Sequence, residues 1–337
     1  SKVPSLCKQY YSSTTLTNDI FKVCLQYDMH TSLRFVGRLL QPVLSGGNHQ
    51  HKLTLLTRKM SASTDYTFQT LSVTTPAEFV KNVELNRPEK RNAMNVTFWA
   101  EMVECFNKLA VDQDCRVIIL SGAGKMFTSG LDVNDSGVFQ KIQEDDPGRR
   151  AFFISKMVSQ YQKSFSVIEQ CHKPVLAAIH SACIGGGIDM ISACDIRYST
   201  QDAWFAIKEV DLGLAADVGT LQRFQKIIGN DSLFRELAYT GRRFNSDEAK
   251  SMGFVSRVLL DKNEMMVAAL EVAKVIASKS PIAVQGSKHN IVYSRDHNVQ
   301  ASLDYMATWN STMLQSEDVL KAITAAMQKQ TPEFSKL

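Results

Sequence analysis

From Tyr66 onward, apolar residues fall into short blocks whose spacing switches between two periods. Residues 68–73 and 79–85 alternate or run apolar in the manner of paired strands, joined around Thr75-Pro76. A basic, turn-rich loop from Arg87 to Asn95 leads into a helix from Val96 to about Ala110. Val117-Ile118-Ile119-Leu120 is a fully apolar strand closed by Ser121-Gly122-Ala123-Gly124. The polar, irregular run 134–150, which contains Pro147-Gly148, reads as a mobile surface loop. A helix is expected over 151–169 and a strand over 175–179. Gly185-Gly186-Gly187 then opens a further helix, and 195–198 is the strand after it. Beyond Glu264 the pattern is helical, over 265–278, 281–293, 299–314 and 317–330. Strands alternating with helices predict an α/β layered core over 61–263. A helical region over 264–334 follows, and its apolar stripes predict association between subunits.

Composition narrows the classes. A chain of 337 residues with 44% hydrophobic content can bury a large core. The net charge of +4 is too modest for a nucleic-acid binder, though it favours an anionic ligand. Seven irregularly spaced cysteines without a C-x-x-C suit free thiols in a reducing compartment. The seven histidines show no i, i+4 pairing and no partner cysteines, so no metal is expected. The final Ser335-Lys336-Leu337 matches a peroxisomal address, to be read by the peroxisomal import receptor. Residues 1–60 are rich in Ser, Thr, Lys and Arg, with Asp19 and Asp28 their only acids. They read either as a mitochondrial transit segment or as an extension upstream of a start at Met60.

The candidate chemistry lies at Gly185-Gly186-Gly187-Ile188-Asp189, followed by Glu209 and Asp217 in apolar company. Glycines let a ligand come close, and carboxyls in apolar surroundings hold protons near neutral pH and can exchange them with carbon acids. Each acid also has a structural reading. Glu209 could pair with a cation, Asp217 could cap the helix that follows it, and Asp189 could bond a buried backbone group.

These blocks, with Leu85-Asn86-Arg87-Pro88-Glu89-Lys90-Arg91-Asn92-Ala93-Met94-Asn95 and Phe127-Thr128-Ser129-Gly130-Leu131-Asp132, resemble the enoyl-CoA hydratase/isomerase (crotonase) superfamily. Asp189, Asp217 and Tyr293-Ser294-Arg295-Asp296-His297 look most like its Δ(3,5)-Δ(2,4)-dienoyl-CoA isomerases. The resemblance implies a spiral of ββα repeats, a C-terminal helical trimerisation region and a homohexamer. It also implies that the N–H groups of Leu131 and Gly186 form an oxyanion hole. Asp217 would take a proton from C2 of an acyl-CoA, Glu209 would return one at C6, and Asp189 would tune them. Arg87, Lys90 and Arg91 would meet the CoA phosphates, and Ala93 and Met94 would line the adenine and pantetheine channel. Ser129, Gly130, Leu131, Asp132, Val133 and Gly186 would border the thioester, with Asp132 steadying its loop. Lys329 is a candidate for a neighbour's CoA. No separate cofactor is implied, since CoA belongs to the substrate. The expected reaction is the conversion of 3,5-dienoyl-CoA to 2,4-dienoyl-CoA in unsaturated fatty-acid β-oxidation. An enoyl-CoA hydratase, a Δ3,Δ2-enoyl-CoA isomerase and a non-catalytic binding relative are the alternatives.

Overall fold

The computed structural model describes residues 65–134 and 146–337; the predicted N-terminal extension and most of the predicted 134–150 loop lie outside the described residues. The principal sheet has six strands: β1 (Leu71–Ala77), β2 (Val80–Leu85), β3 (Val117–Gly122), β4 (Val175–Ile179), β6 (Ile196–Thr200) and β9 (Arg257–Leu259). They lie side by side in that order. β1 runs antiparallel to β2, with Leu71 opposite Leu85, and each later neighbour is parallel. Three shorter strands, β5 (Ala182–Ile184), β7 (Trp204–Ala206) and β8 (Phe244–Asn245), form a second sheet.

Why residues 117–120 of β3 and all of β4 are apolar follows from what covers them. Ile118, Leu120, Val175 and Ala177 face one core with α1 (Val96–Val111) and α2 (Pro147–Gln170). Val117, Ile119, Leu176 and Ala178 face a second core, filled by Met265, Ala269, Ala273 and Ala277 of α7 (Lys262–Ala277). A parallel strand buried on both faces loses the polar half of its alternation. The alanines spaced four apart put small side chains on one helical face, which lets α7 lie close to the sheet.

Between β4 and β9 the chain adds four short helices: α3 (Gly186–Ser192), α4 (Thr220–Ile227), α5 (Asp231–Thr240) and α6 (Ser246–Ser251). After α7 come α8 (Pro281–Arg295), α9 (Val299–Met313) and α10 (Glu317–Gln328). His289 stacks on Trp309 at 4.5 Å and Tyr293 on Tyr305 at 4.0 Å, joining α8 to α9. Val299, Leu303, Leu320, Ile323 and Met327 are exposed on α9 and α10.

Two lysines are buried as helix-end anchors. Lys173 donates to the carbonyls of Leu109 and Asp112 at the end of α1. Lys288 donates to Ile168 O and Lys173 O, both at 3.0 Å, and pairs with Asp195 Oδ2 at 2.8 Å. Cations suit these carbonyl-rich ends.

Three expectations need correction. The first hairpin turns at Glu78-Phe79, where Phe79 takes φ 59°, and Pro76 sits inside the edge strand β1 beside an irregularity in its pairing. An edge strand tolerates a proline that donates no ladder bond. Second, α2 begins at Pro147, inside the predicted loop, because Asp146 caps it by accepting from Arg149 N at 2.8 Å. Proline is well suited to a first helical position. Third, the chain enters β6 at Ile196, since the Asp195 carboxylate is occupied by Val175 N at 2.7 Å and by Lys288. Among the described residues no helix is long and apolar enough to cross a membrane.

Candidate active site

The oxyanion expectation rests on two backbone segments. Thr128 pairs with Cys183 and Met94 with Leu131 as isolated parallel bridges. The second bridge uses Met94 N to Gly130 O at 2.8 Å and Asp132 N to Met94 O at 3.1 Å. Successive N–H groups along an extended chain point to opposite sides, so that of Leu131 points away from Met94. Gly130 is required where it stands. Its φ is +85°, and a Cβ would lie 2.7 Å from the Ile184 carbonyl oxygen. That contact presses the segment before Leu131 against the segment before Gly186. Gly185 donates to Ala206 O at 2.9 Å and takes φ 55°, ψ −122°, which exposes the Gly186 N–H as the first orphan donor of α3. Among the described residues neither N–H has an acceptor.

Asn92 stabilises this loop, a role absent from the residues named above. Its φ is 53°; its Oδ1 accepts from Arg87 N at 2.9 Å, and its Nδ2 donates to Ala123 O at 2.8 Å and Phe127 O at 3.0 Å. An asparagine in a basic turn is the signal that could have marked it. Arg87 donates to Ala93 O and bonds Asp132 Oδ2 at 3.0 Å, which ties it to the loop. Asp132 steadies that loop through the same bond. Lys90 and Arg91 are exposed, on and beside a 3-10 turn, Pro88–Lys90. Ala93 and Met94 are buried, and Met94 Sδ lies 3.1 Å from where a Gly186 Cβ would stand. Ser129 is half-buried, Val133 is exposed, and Lys329 is an exposed C-cap residue of α10.

The three carboxyls occupy different environments. Asp189, on α3, is fully buried; its Oδ1 accepts from Thr220 N at 2.6 Å and thereby caps α4. Asp217 does not cap that helix: the N-cap residue is Gly219, and no side chain of its own bonds there. Glu209 begins a 3-10 turn, Glu209–Leu212, and its Oε1 lies 3.5 Å from a Cβ position on Gly185. Asp189 Oδ2 and Glu209 Oε2 are buried with no donor on any other described group, while the two carboxyls are within hydrogen-bonding reach of each other. A bond between carboxyls needs a proton on one of them. Burial first, then the Asp189 charge, pushes Glu209 up to about 8. Burial likewise raises Asp189, against the Thr220 hydrogen bonds. The pair therefore holds a proton at neutral pH. Asp217 is exposed on the adjoining turn, raised by burial of its carboxyl but less enclosed than the pair. Its carbonyl accepts from Gln162 Nε2 at 2.8 Å. Asp211 is engaged elsewhere, with Lys208 at 2.5 Å.

The Asp217 turn is held from behind. Gly219 has φ +141°, and Arg223 packs so closely beneath it that a Cβ would lie 2.1 Å from Nη1. Arg223 Nη2 reaches Ser166 Oγ at 3.0 Å and Glu169 Oε2 at 3.4 Å. No group of three or more metal-ligating side chains occurs among the described residues.

With this geometry in hand, comparison with known proteins is direct. The family model for enoyl-CoA hydratase/isomerase matches residues 76–336. A mouse protein named Delta(3,5)-Delta(2,4)-dienoyl-CoA isomerase, mitochondrial, is 57% identical over 277 residues, 81% of this chain and 85% of its own length. An Arabidopsis thaliana protein of the same name, peroxisomal, is 47% identical over 75% of this chain and 91% of its own. The crystal structure of an enoyl-CoA hydratase from Bacillus anthracis superposes with a TM-score of 0.72 at 28% identity, covering 79% of this chain and 99% of that one. The chain belongs to the enoyl-CoA hydratase/isomerase family.

Proposed function

We propose that the chain is a dienoyl-CoA isomerase that converts 3,5-dienoyl-CoA into 2,4-dienoyl-CoA. The observation that carries this reading is the separation of acid from base. A buried pair, Asp189 and Glu209, retains a proton beside the glycine turn, and a more open carboxylate, Asp217, stands on the adjoining turn. Transposing the diene removes a proton at C2 and returns one at C6. In an extended chain those carbons lie roughly 5 Å apart by ordinary bond lengths, so two carboxyls serve better than one.

Asp217 accepts the C2 proton, and the electron pair delocalises onto the thioester oxygen. The N–H groups of Leu131 and Gly186 stabilise that oxygen; removing one such donor elsewhere costs about 3–4 kcal/mol of barrier. Glu209 then delivers its proton to C6, and Asp189 maintains the protonated state of Glu209 beforehand. Afterwards Asp217 bears a proton and Glu209 lacks one, so exchange with solvent resets the site. CoA enters as part of the substrate, with Lys90 and Arg91 facing its phosphates. The exposed apolar residues of α9 and α10 supply a surface for a homo-oligomer, for which we favour a hexamer of two trimers. The mitochondrial and peroxisomal relatives place the reaction in one or both of those compartments.

Purified protein mixed with 3,5-octadienoyl-CoA should produce the ultraviolet absorbance of the 2,4-dienoyl thioester, and Asp217→Asn and Glu209→Gln should abolish the rise. Hydration of a 2-enoyl-CoA without that rise would instead indicate a hydratase.

A further inference from the structure

The segment Tyr293-Ser294-Arg295-Asp296-His297 lies at the end of α8, in the helical region, and contributes no group to the reaction described above. Its two charged residues nevertheless reach the catalytic turn by two routes. Arg295 bonds Glu169 Oε1, while Glu169 Oε2 pairs with Arg223 at 3.4 Å. Asp296 bonds Lys226, one helical turn beyond Arg223 on α4. Arg223 is the residue whose guanidinium underlies Gly219, two positions after Asp217.

Glu169 is the joint of this network. Its side chain is 14% exposed, and that of Arg223 is 13% exposed. Burial would raise the carboxyl, but the Arg295 hydrogen bond and the Arg223 charge hold it below the usual carboxylate range. A carboxylate between two guanidiniums, one on each oxygen, fixes the heading of both, because each bond is directional. Asp189 fixes the other end of the turn through Thr220 N. With Arg223 anchored below and Thr220 N capped, the Asp217 turn has little freedom to swing.

We propose that Glu169, held by Arg295 from the helical region, is a positioning residue that fixes Asp217 over C2 by locking Arg223 under Gly219. This inference deepens the isomerase reading and rests on it. Misplacing a base by about 1 Å can cost two orders of magnitude in rate, so a partly loosened turn should show a smaller loss in turnover. Substrate binding, which uses other residues, should be spared.

The test compares the full-length protein with Glu169→Gln and Arg295→Met. Steady-state kinetics on 3,5-octadienoyl-CoA would be measured beside hydrogen–deuterium exchange of the 214–224 segment. Glu169→Gln is expected to lower kcat about tenfold with KM within twofold, and to speed exchange in that segment at least fivefold. Arg295→Met, which removes the outer guanidinium from Glu169 and also its 3.2 Å contact with Asp296, should lower kcat about threefold. Wild-type kcat in a folded Glu169→Gln protein would overturn the proposal, as would unchanged exchange in the segment. If Glu169→Gln does not fold, wild-type kcat in Arg295→Met overturns it just as well. Inactive wild-type protein would count against the isomerase reading instead, and the exchange comparison would still decide whether Glu169 holds the turn.

Discussion

Replacing Asp189 with asparagine isolates the device that keeps Glu209 protonated. Glu209 rises from an ordinary 4.5 to about 8, which corresponds to about 5 kcal/mol of preference for the neutral form. Burial is the largest cause, and the Asp189 charge is next. Asparagine keeps an oxygen for Thr220 N, so α4 stays capped, but its amide donates to the Glu209 carboxylate where Asp189 had repelled it. Removing a neighbouring charge and supplying a donor to the ionised form in a buried site is worth about one to three pH units. With a fall of about two, the protonated fraction of Glu209 at pH 8 drops from about one half to about one in a hundred. Turnover needs the protonated acid, so the alkaline limb of the kcat profile should move from near pH 8 to near pH 6. Initial rates by ultraviolet absorbance between pH 5 and 9.5 would show it. An Asp189→Asn enzyme whose limb remains near pH 8 would refute the reasoning, because the limb would then belong to another group or Asp189 would not act on Glu209.

The same raised pKa makes the site a burden on the fold. Between about 4.5 and about 8 the folded protein binds a proton that the unfolded chain releases, so this contribution to stability is complete below pH 4.5 and is lost as pH rises through 8. Glu209→Gln should therefore melt higher than wild type at pH 8.5, by up to about 5 kcal/mol, and close to it at pH 4.5, as calorimetry would reveal. Gly130→Ala forces a Cβ against the Ile184 carbonyl and a side chain into φ +85°. It should cost about 1–3 kcal/mol in chemical denaturation and lower kcat by splaying the two oxyanion segments. Lys90→Ala with Arg91→Ala should raise KM several-fold with kcat unchanged, in a manner that fades at high salt. Arg87→Ala, by contrast, frees Asp132 and should reduce kcat and thermal stability together.

Long, strongly patterned segments were legible before any coordinates. The C-terminal helices agree with their apolar periodicity, and β3 and β4 with their unbroken apolar runs. Strands of two or three residues such as Trp204–Ala206 and Phe244–Asn245 carry too few positions to show a period; they are held by pairing with each other, where Phe205 and Phe244 stack at 5.2 Å, and by β5. At the site, the acids could be named from the chain but their division of labour could not. That Asp189 caps α4 while its charge raises Glu209 depends on contacts between residues 20 and 31 positions apart. The bond from Arg87 to Asp132 was illegible for a related reason, since the two residues lie 45 positions apart.

The two lysines buried at helix ends acquire a chemical meaning in a protein exposed to thioesters. An unprotonated amine open to solvent can be acylated by an activated acyl group. Lys173 is susceptible in principle, since burial lowers its pKa and so enriches the reactive amine. Yet Lys173 is 2% exposed and bonds two carbonyls, and Lys288 is closed off in the same way at 5%. The native state thus withholds the amines that anchor its helix ends from this reaction, while Lys90 stands open to it. Acylation at Lys173 would report that a molecule had opened, a chemical record of time spent unfolded.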